Sequence, residues 1–287
     1  MIRFKYFGFG LMILMVLLAG CTYTPQLKSN VPDPMVIGGT SNLTVTFIDV
    51  GQGDSEWIVS PNNRTMLIDA GESNDALKIS SIIPHNKVID VVVATHAHSD
   101  HIGGMNNILK THKVRQFIDS GYPHTSMIYE TMLSTILENN MNYSIVNTGD
   151  IIEFDPDVNV KVLNPQSKLH DEINENSVVI LMTYRNVSFL FTGDAESNAE
   201  MIYGKQLKHV DILKVAHHGS SSSTSSYLIS RIHPDVSIIS VGKDNQYNHP
   251  DNSVITRLKS DGSRVYRTDE DGTIVVTTNG EQYSVIV

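Results

Sequence analysis

From residue 43 onward, short apolar runs alternate with polar turn signals. "LTVTFIDV" at 43–50, "SEWIVS" at 55–60 and "RTMLIDAG" at 64–71 are separated by Gly, Asn and Pro, the pattern of short strands joined by tight turns. "DALKISSII" then predicts a helix leading into the strand "KVIDVVVATH". "HIGGMNNILKTH" brings Ile102, Met105, Ile108 and Leu109 to one side at helical spacing. The second half repeats this logic. Strands are predicted at "VKVLNP", at "SVVILMTYRNVSFLFTGD" as a hairpin turning near Arg185–Asn186, and at "DILKVAHH", "VSIISVG", "RVYRT" and "GTIVVTT", with helices over 195–207, 223–232 and 251–261. Strands interleaved with helices in both halves predict an α/β fold, two sheets packed face to face with helices outside. No low-complexity tract and no repeat interrupts it.

The pattern before residue 43 is different. "MIRFKYFGFGLMILMVLLAGC" sets Arg3 and Lys5 ahead of an apolar run closing on "LAGC", which reads as an export signal over 1–20. Cys21, the single cysteine of the chain, stands where bacterial lipoprotein signals place the lipid-modified residue, and the stretch resembles a lipobox. Residues 21–42 are rich in Pro, Gly, Ser, Thr and Asn and read as the lipid-attachment cysteine and a flexible tether, leaving 43–287 as the folded domain. The expected location is the extracytoplasmic face of a cell membrane. One cysteine also excludes an internal disulfide.

Charge changes the picture once. With a formal net charge of −10, no global field draws this chain onto nucleic acid or an anionic membrane. An anionic substrate must therefore be held locally, and bound divalent cations can do that because they reverse the local sign.

Residues able to hold such cations are crowded into "VVVATHAHSDHIGG" at 91–104. In an extended segment alternate residues face one way, so His96 and His98 can reach one ion together. Asp100 and His101 follow where the chain turns into a helix and can point at a second ion. Mixed His/Asp ligation is how catalytic metal sites are built.

His96, His98, Asp100 and His101 match the HxHxDH motif of the metallo-β-lactamase superfamily. "MLIDAG" at 66–71 resembles that superfamily's early strand, placing Asp69 behind the histidines as an orienting group. "FLFTGDAE" at 189–196 resembles the strand whose aspartate bridges two metals, which gives Asp194 that role, and "LKVAHHGS" at 213–220 resembles the strand supplying the last histidine. The resemblance implies a four-layer αβ/βα sandwich with two mixed sheets and two divalent ions, zinc or manganese. Strand alternation sends His217 and His218 to opposite sides, so one is expected as a ligand while the other meets substrate or solvent. Many members carry a further histidine before the bridging aspartate. Here "HDEINENSVVIL" offers only Asn176 or Ser177 at that place, and His170 reads as a solvated loop residue. The first ion, left with His96, His98 and the shared Asp194, is expected to bind more weakly.

"FIDVGQGDS" at 47–55, the Asn-Ser pair, "LKVAHHGSSSSTS", "NHP" at 248–250 and "LKSDGSRVYRTDEDGTIVV" at 258–276 together resemble the metallo-hydrolase domain of ComEC-type competence proteins. That resemblance implies a phosphodiesterase or nuclease acting on DNA or another nucleotide. Asp100 and His249 are the candidate catalytic groups, His249 beside whichever of His217 and His218 is not a ligand, as proton donor to the leaving oxygen. Gln52 and Asp54 either line the site or close a tight hairpin. The run Gly219 to Ser226, with Ser220 nearest the histidines, is either a phosphate cradle or a capped loop. The alternatives are a metal-dependent esterase acting on a cell-surface phosphoester such as phosphocholine, and a non-catalytic surface-tethered binding module. No protein partner is indicated.

Overall fold

The computed structural model describes residues 42–287; the predicted export signal, Cys21 and all but the last residue of the tether lie outside the described residues. Six strands open the domain: β1 (Leu43–Phe47), β2 (Glu56–Val59), β3 (Thr65–Ile68), β4 (Ile89–Ala94), β5 (Val114–Asp119) and β6 (Asn142–Ile145). Six more follow: β7 (Val158–Asn164), β8 (Val179–Tyr184), β9 (Val187–Phe191), β10 (Ile212–Lys214), β11 (Val236–Ile239) and β12 (Arg264–Arg267). β13 (Ile274–Thr278) and β14 (Tyr283–Ile286) return to the first group. The result is an eight-stranded sheet in the order β14-β13-β1-β2-β3-β4-β5-β6 and a six-stranded sheet in the order β12-β11-β10-β9-β8-β7. Both are mixed. In the first, β1 to β3 pair antiparallel while β3 to β6 run parallel. In the second, β7 to β9 are antiparallel and β9 to β12 parallel.

Three apolar layers hold this together. Alternation along β1 buries Leu43, Val45 and Phe47, which meet Val160, Ile180, Phe189 and Phe191 of the other sheet in a shared core. On the outer face of the first sheet lie α1 (Ala76–Ile82), α2 (Ser99–Ile102), α3 (Met105–Thr111) and α4 (Met127–Glu138); Ile79, Met105, Ile108, Met132 and Ile136 pack there against Leu67, Val92 and Phe117. On the outer face of the second lie α5 (Ser197–Tyr203), α6 (Ser226–Ile232) and α7 (Asn252–Ser260), whose Tyr203, Leu228, Val254 and Leu258 cover Leu190, Leu213 and Ile239. The four-layer sandwich expected from the sequence is therefore the observed fold. Each fully buried aliphatic or aromatic side chain contributes about 1.5–3 kcal/mol. The domain thus has a rigid frame on which to mount loops. No helix among the described residues is long and apolar enough to cross a membrane.

The frame differs from expectation in two places that matter for the site. The helix expected over 101–112 is two helices parted at Gly103 and Gly104, and glycine at 104 allows a close approach there, since a Cβ would lie 2.2 Å from the Ala70 carbonyl oxygen. The chain must bend there to bring His101 against β3. β10 also ends at Lys214, so His217 and His218 are not strand residues; they sit in a 3₁₀ turn over Ala216–Gly219 with φ of 50° and 52°.

Candidate metal centre

The loops that end β3, β4, β9 and β10 on one edge of the sandwich carry the site. Asp69 leaves β3 with a positive φ of 53° and is fully buried. Its Oδ1 accepts the Thr95 backbone N–H at 2.8 Å, and its Oδ2 accepts the Thr95 hydroxyl at 2.6 Å and faces His101 Nδ1 at 2.8 Å. With Nδ1 committed to that carboxylate, His101 is left with Nε2 pointing away from it, the arrangement that fixes a ligand's tautomer. Asp69 is expected behind the histidines, and the structure sets its Oδ2 against His101 Nδ1.

His101 Nε2 lies 3.3 Å from Asp194 Oδ1 and 3.9 Å from Asp100 Oδ2. His218 Nε2 enters the same space, 3.2 Å from Asp100 Oδ2 and 3.7 Å from Asp194 Oδ1. The other oxygen of Asp194 looks the opposite way: its Oδ2 is 3.8 Å from His96 Nε2, which approaches His98 Nδ1 within 3.0 Å. Two ligand groups are thus drawn together, His96 with His98 and Asp100 with His101 and His218, and the two oxygens of Asp194 divide between them.

A bound ion stands about 2.0–2.2 Å from each nitrogen or oxygen ligand, so ligand atoms about 3–4 Å apart are the spacing it requires. The side chains have that spacing. His101 Nε2, Asp194 Oδ1 and His218 Nε2 are buried and make no hydrogen bond among the described residues. Buried polar atoms are normally satisfied, and three that converge on one point fit a divalent cation. The charge balance agrees. Burial works against the charge on His101, but the carboxylates of Asp194, Asp100 and Asp69 push its pKa well above the usual value. At His218 burial likewise works against the charge, but Asp194 and Asp54 outweigh it and the pKa is pushed up to about 10. Burial also opposes ionisation of Asp194, yet His101 and His218 hold its carboxyl well below the usual range. The pocket is built for charge of both signs.

Several expectations are corrected by this geometry. His217 and His218 do not alternate as strand neighbours. Their left-handed turn sends both rings to the site side, His218 into the buried group and His217 to its margin. His217 Nε2 is 3.7 Å from Asp194 Oδ2, but the ring joins neither ligand group; its Nδ1 is held by Glu196 Oε1 at 3.0 Å. Of the two positions that replace the missing histidine, Asn176 is spent on its own loop, accepting from His170 N and donating to the carbonyls of His170 and Glu172. Ser177 is the one that faces the site, its Oγ accepting the Asp194 N–H at 3.2 Å. Gln52 ties two loops, accepting from Gly242 N. Asp54 lies behind His218 at the buried end of the site. The serine run is mainly a stapled loop: Glu200 accepts the N–H groups of Thr224 and Ser225, Arg257 donates to the carbonyls of Ser223 and Thr224, and Ser223 Oγ donates to Ala216 O. Ser220 Oγ contacts Ser222 Oγ, which donates to Glu196. His249 packs edge-on to His217 with ring centroids 5.7 Å apart.

The sequence pattern did not single out Glu196 or Lys214, and both serve the site. Glu196 gathers His217, Ser222 and Asn174 on one carboxylate oxygen. Lys214, 1% exposed, places its Nζ 2.7 Å from Asp54 Oδ2, and Asp54 Oδ1 in turn faces His218 Nδ1 at 3.3 Å, where the Ser240 carbonyl also accepts at 3.0 Å. A lysine inside the apolar strand "DILKVA" was the available signal. Burial opposes the charge on Asp54, and Lys214 and His218 overcome it. Glu56, also buried beside them, is driven well above the usual carboxylate range by burial and then by Asp54.

Comparison with known proteins agrees with this picture. The sequence profile of the metallo-beta-lactamase superfamily matches residues 48–243. ComE operon protein 3 of Bacillus subtilis is 33% identical over 256 residues, covering 82% of this chain and 33% of that protein. Recombination protein 2 of Haemophilus influenzae is 33% identical over 238 residues, covering 81% of this chain and 28% of that protein. The chain therefore spans about a third of the length of these relatives. Among solved structures, the metallo-beta-lactamase fold protein YhfI from Bacillus subtilis superposes with a TM-score of 0.58 at 12% identity, covering 83% of this chain and 100% of that one, a likeness of fold.

Proposed function

The chain belongs to the metallo-β-lactamase superfamily of metal-dependent hydrolases, and from that footing we propose that it cleaves phosphodiesters at two divalent ions, zinc or manganese, with DNA or another nucleotide polymer as its substrate. The observation that carries the reading is the division of Asp194, Oδ2 toward His96 and Oδ1 toward His101 and His218. One ion would be held by His96, His98 and Asp194, the other by Asp100, His101, His218 and Asp194. Ions so placed supply Lewis acidity to phosphate oxygens and activate water as a nucleophile. The names of the relatives, ComE operon protein 3 and Recombination protein 2, support nucleic acid as the substrate class. Export and lipid attachment at Cys21 form part of the same proposal and rest on the "LAGC" stretch.

The side chains divide the work. Asp69 and Thr95 hold His101 in one tautomer, and the Ser240 carbonyl with Asp54 does the same for His218. Glu196 takes the Nδ1–H of His217 and leaves Nε2 facing the site beside Asp194. As the imidazolium, with its Nδ1–H held by Glu196, His217 is the group placed to deliver the proton on Nε2 to the leaving oxygen, becoming neutral as it does so; His249 packs edge-on against it.

The test uses the purified chain with manganese or zinc, a chromogenic phosphodiester and single-stranded DNA. Turnover of both is expected, and turnover of neither would contradict the proposal. His217→Ala is expected to lower kcat roughly 10²-fold with metal content unchanged. Loss of one bound ion in that variant would instead make His217 a ligand.

A further inference from the structure

The loop from Val241 to Pro250 carries an exposed aromatic side chain that nothing in the metal centre uses. Asn245 organises this loop from inside. Its Nδ2 donates to the carbonyls of Gly242 at 2.9 Å and His249 at 2.6 Å, and its Oδ1 accepts the N–H groups of Tyr247 and His249, each at 3.1 Å. Asp244 and Asn248 flank the turn with φ of 54° and 57°. The loop is thereby set by its own hydrogen bonds, and Tyr247 is held outward with 55% of its surface exposed. Its ring stacks on His249, centroids 5.9 Å apart and planes 21° apart. His249 meets His217 at 5.7 Å, and His217 Nε2 is 3.7 Å from Asp194 Oδ2. Three rings therefore run without a break from the bridging carboxylate to solvent.

We propose that Tyr247 is a stacking platform for an unpaired nucleobase of the substrate strand, next to the phosphodiester taken by the metal centre. The inference rests on the phosphodiesterase reading and names the part of the substrate recognised outside it. Every base has a flat face, so an aromatic ring on a fixed loop binds single-stranded nucleic acid whatever its sequence. Charge argues for this kind of contact. At a net charge of −10 the chain has no surplus of cations to follow a phosphate backbone, which is the usual source of affinity for nucleic acid. Stacking needs no cation. A duplex keeps its bases stacked on one another, so the platform selects single strands or frayed ends.

The experiment compares a short oligothymidylate with an abasic oligomer of equal length, using the metal-loaded full chain. Stacking of one base predicts a KM for the abasic oligomer roughly five- to 150-fold above that for oligothymidylate. Tyr247→Ala is expected to bring that ratio near one, chiefly through KM, and Tyr247→Phe to keep it. A second readout does not depend on turnover: in Tyr247→Trp the new indole is exposed, whereas the native Trp57 is buried. Its emission is expected to be quenched by oligothymidylate and not by the abasic oligomer. An unchanged ratio in Tyr247→Ala, or no quenching in Tyr247→Trp while oligothymidylate is still cleaved, would overturn the platform and leave the phosphodiesterase reading standing. Failure to bind or cleave either oligomer, with the chromogenic diester also inert, would overturn both.

Discussion

Asp194→Ala is expected to lower phosphodiester turnover by at least ~10³-fold, because a bound ion supplies several kcal/mol of transition-state stabilisation and this residue touches both ligand groups. Among the described residues it is the side chain that faces His96 with one oxygen and His101 and His218 with the other. If two ions bind as proposed, removing it would take a ligand from each at once. It also strips His101 and His218 of the carboxylate that most favours their charge. Metal analysis of the variant should find fewer ions per chain than in the parent. Turnover within about tenfold of the parent would show that the chemistry lies elsewhere.

The second large effect is on stability. Lys214→Met is expected to destabilise the metal-free domain by about 3–5 kcal/mol, the cost of leaving a buried charge without its partner. Lys214 and Asp54 are each 1% exposed and 2.7 Å apart, so the variant strips the buried carboxylate of this ion pair and leaves it the contact with His218 at 3.3 Å. Adding Asp54→Asn to Lys214→Met should recover much of the loss, since both charges are then gone. The urea-denaturation midpoints of parent, single and double variant decide the matter. A single variant as stable as the parent would mean that Asp54 takes up a proton at no cost.

Much of this centre was legible because the residues that make it stand at the ends of apolar strands. "VVVATH" and "FLFTGD" each run from a buried strand directly into ligand-type side chains, and the hairpin at Arg185–Asn186 followed from two apolar runs around a polar turn. The parts that were not legible fail for identifiable physical reasons. β6, "NYSI", is a short, half-exposed strand with little alternation, so it carries no periodic signal. α4 was passed over although Ser126 caps it and Met132 and Ile136 share its buried face. Alternation was the wrong rule for His217 and His218, because a 3₁₀ turn with two left-handed residues replaces the end of the strand. Asn176 and Ser177 are neighbours with opposite duties, one bonded back to its loop and one to Asp194, which only the tertiary fold decides. Glu196 and Lys214 act through other side chains. Glu196 carries no local mark that separates it from a surface acid, whereas Lys214 is marked by its place inside the apolar run "DILKVA".

The central claim is that Asp194 joins two unequal metal sites whose joint occupation permits hydrolysis. Asp100, His101 and His218 stand with the shared carboxylate on one side; His96 and His98 stand with it on the other, where His217 Nε2 also approaches Oδ2 at 3.7 Å. Titrating the metal-free chain with manganese or zinc, by calorimetry and with a chromogenic phosphodiester present in parallel, tests this most directly. The account predicts two binding steps of different affinity, with turnover appearing on the second, weaker step. One binding step with full turnover at one ion per chain, or two ions bound without turnover, would contradict it.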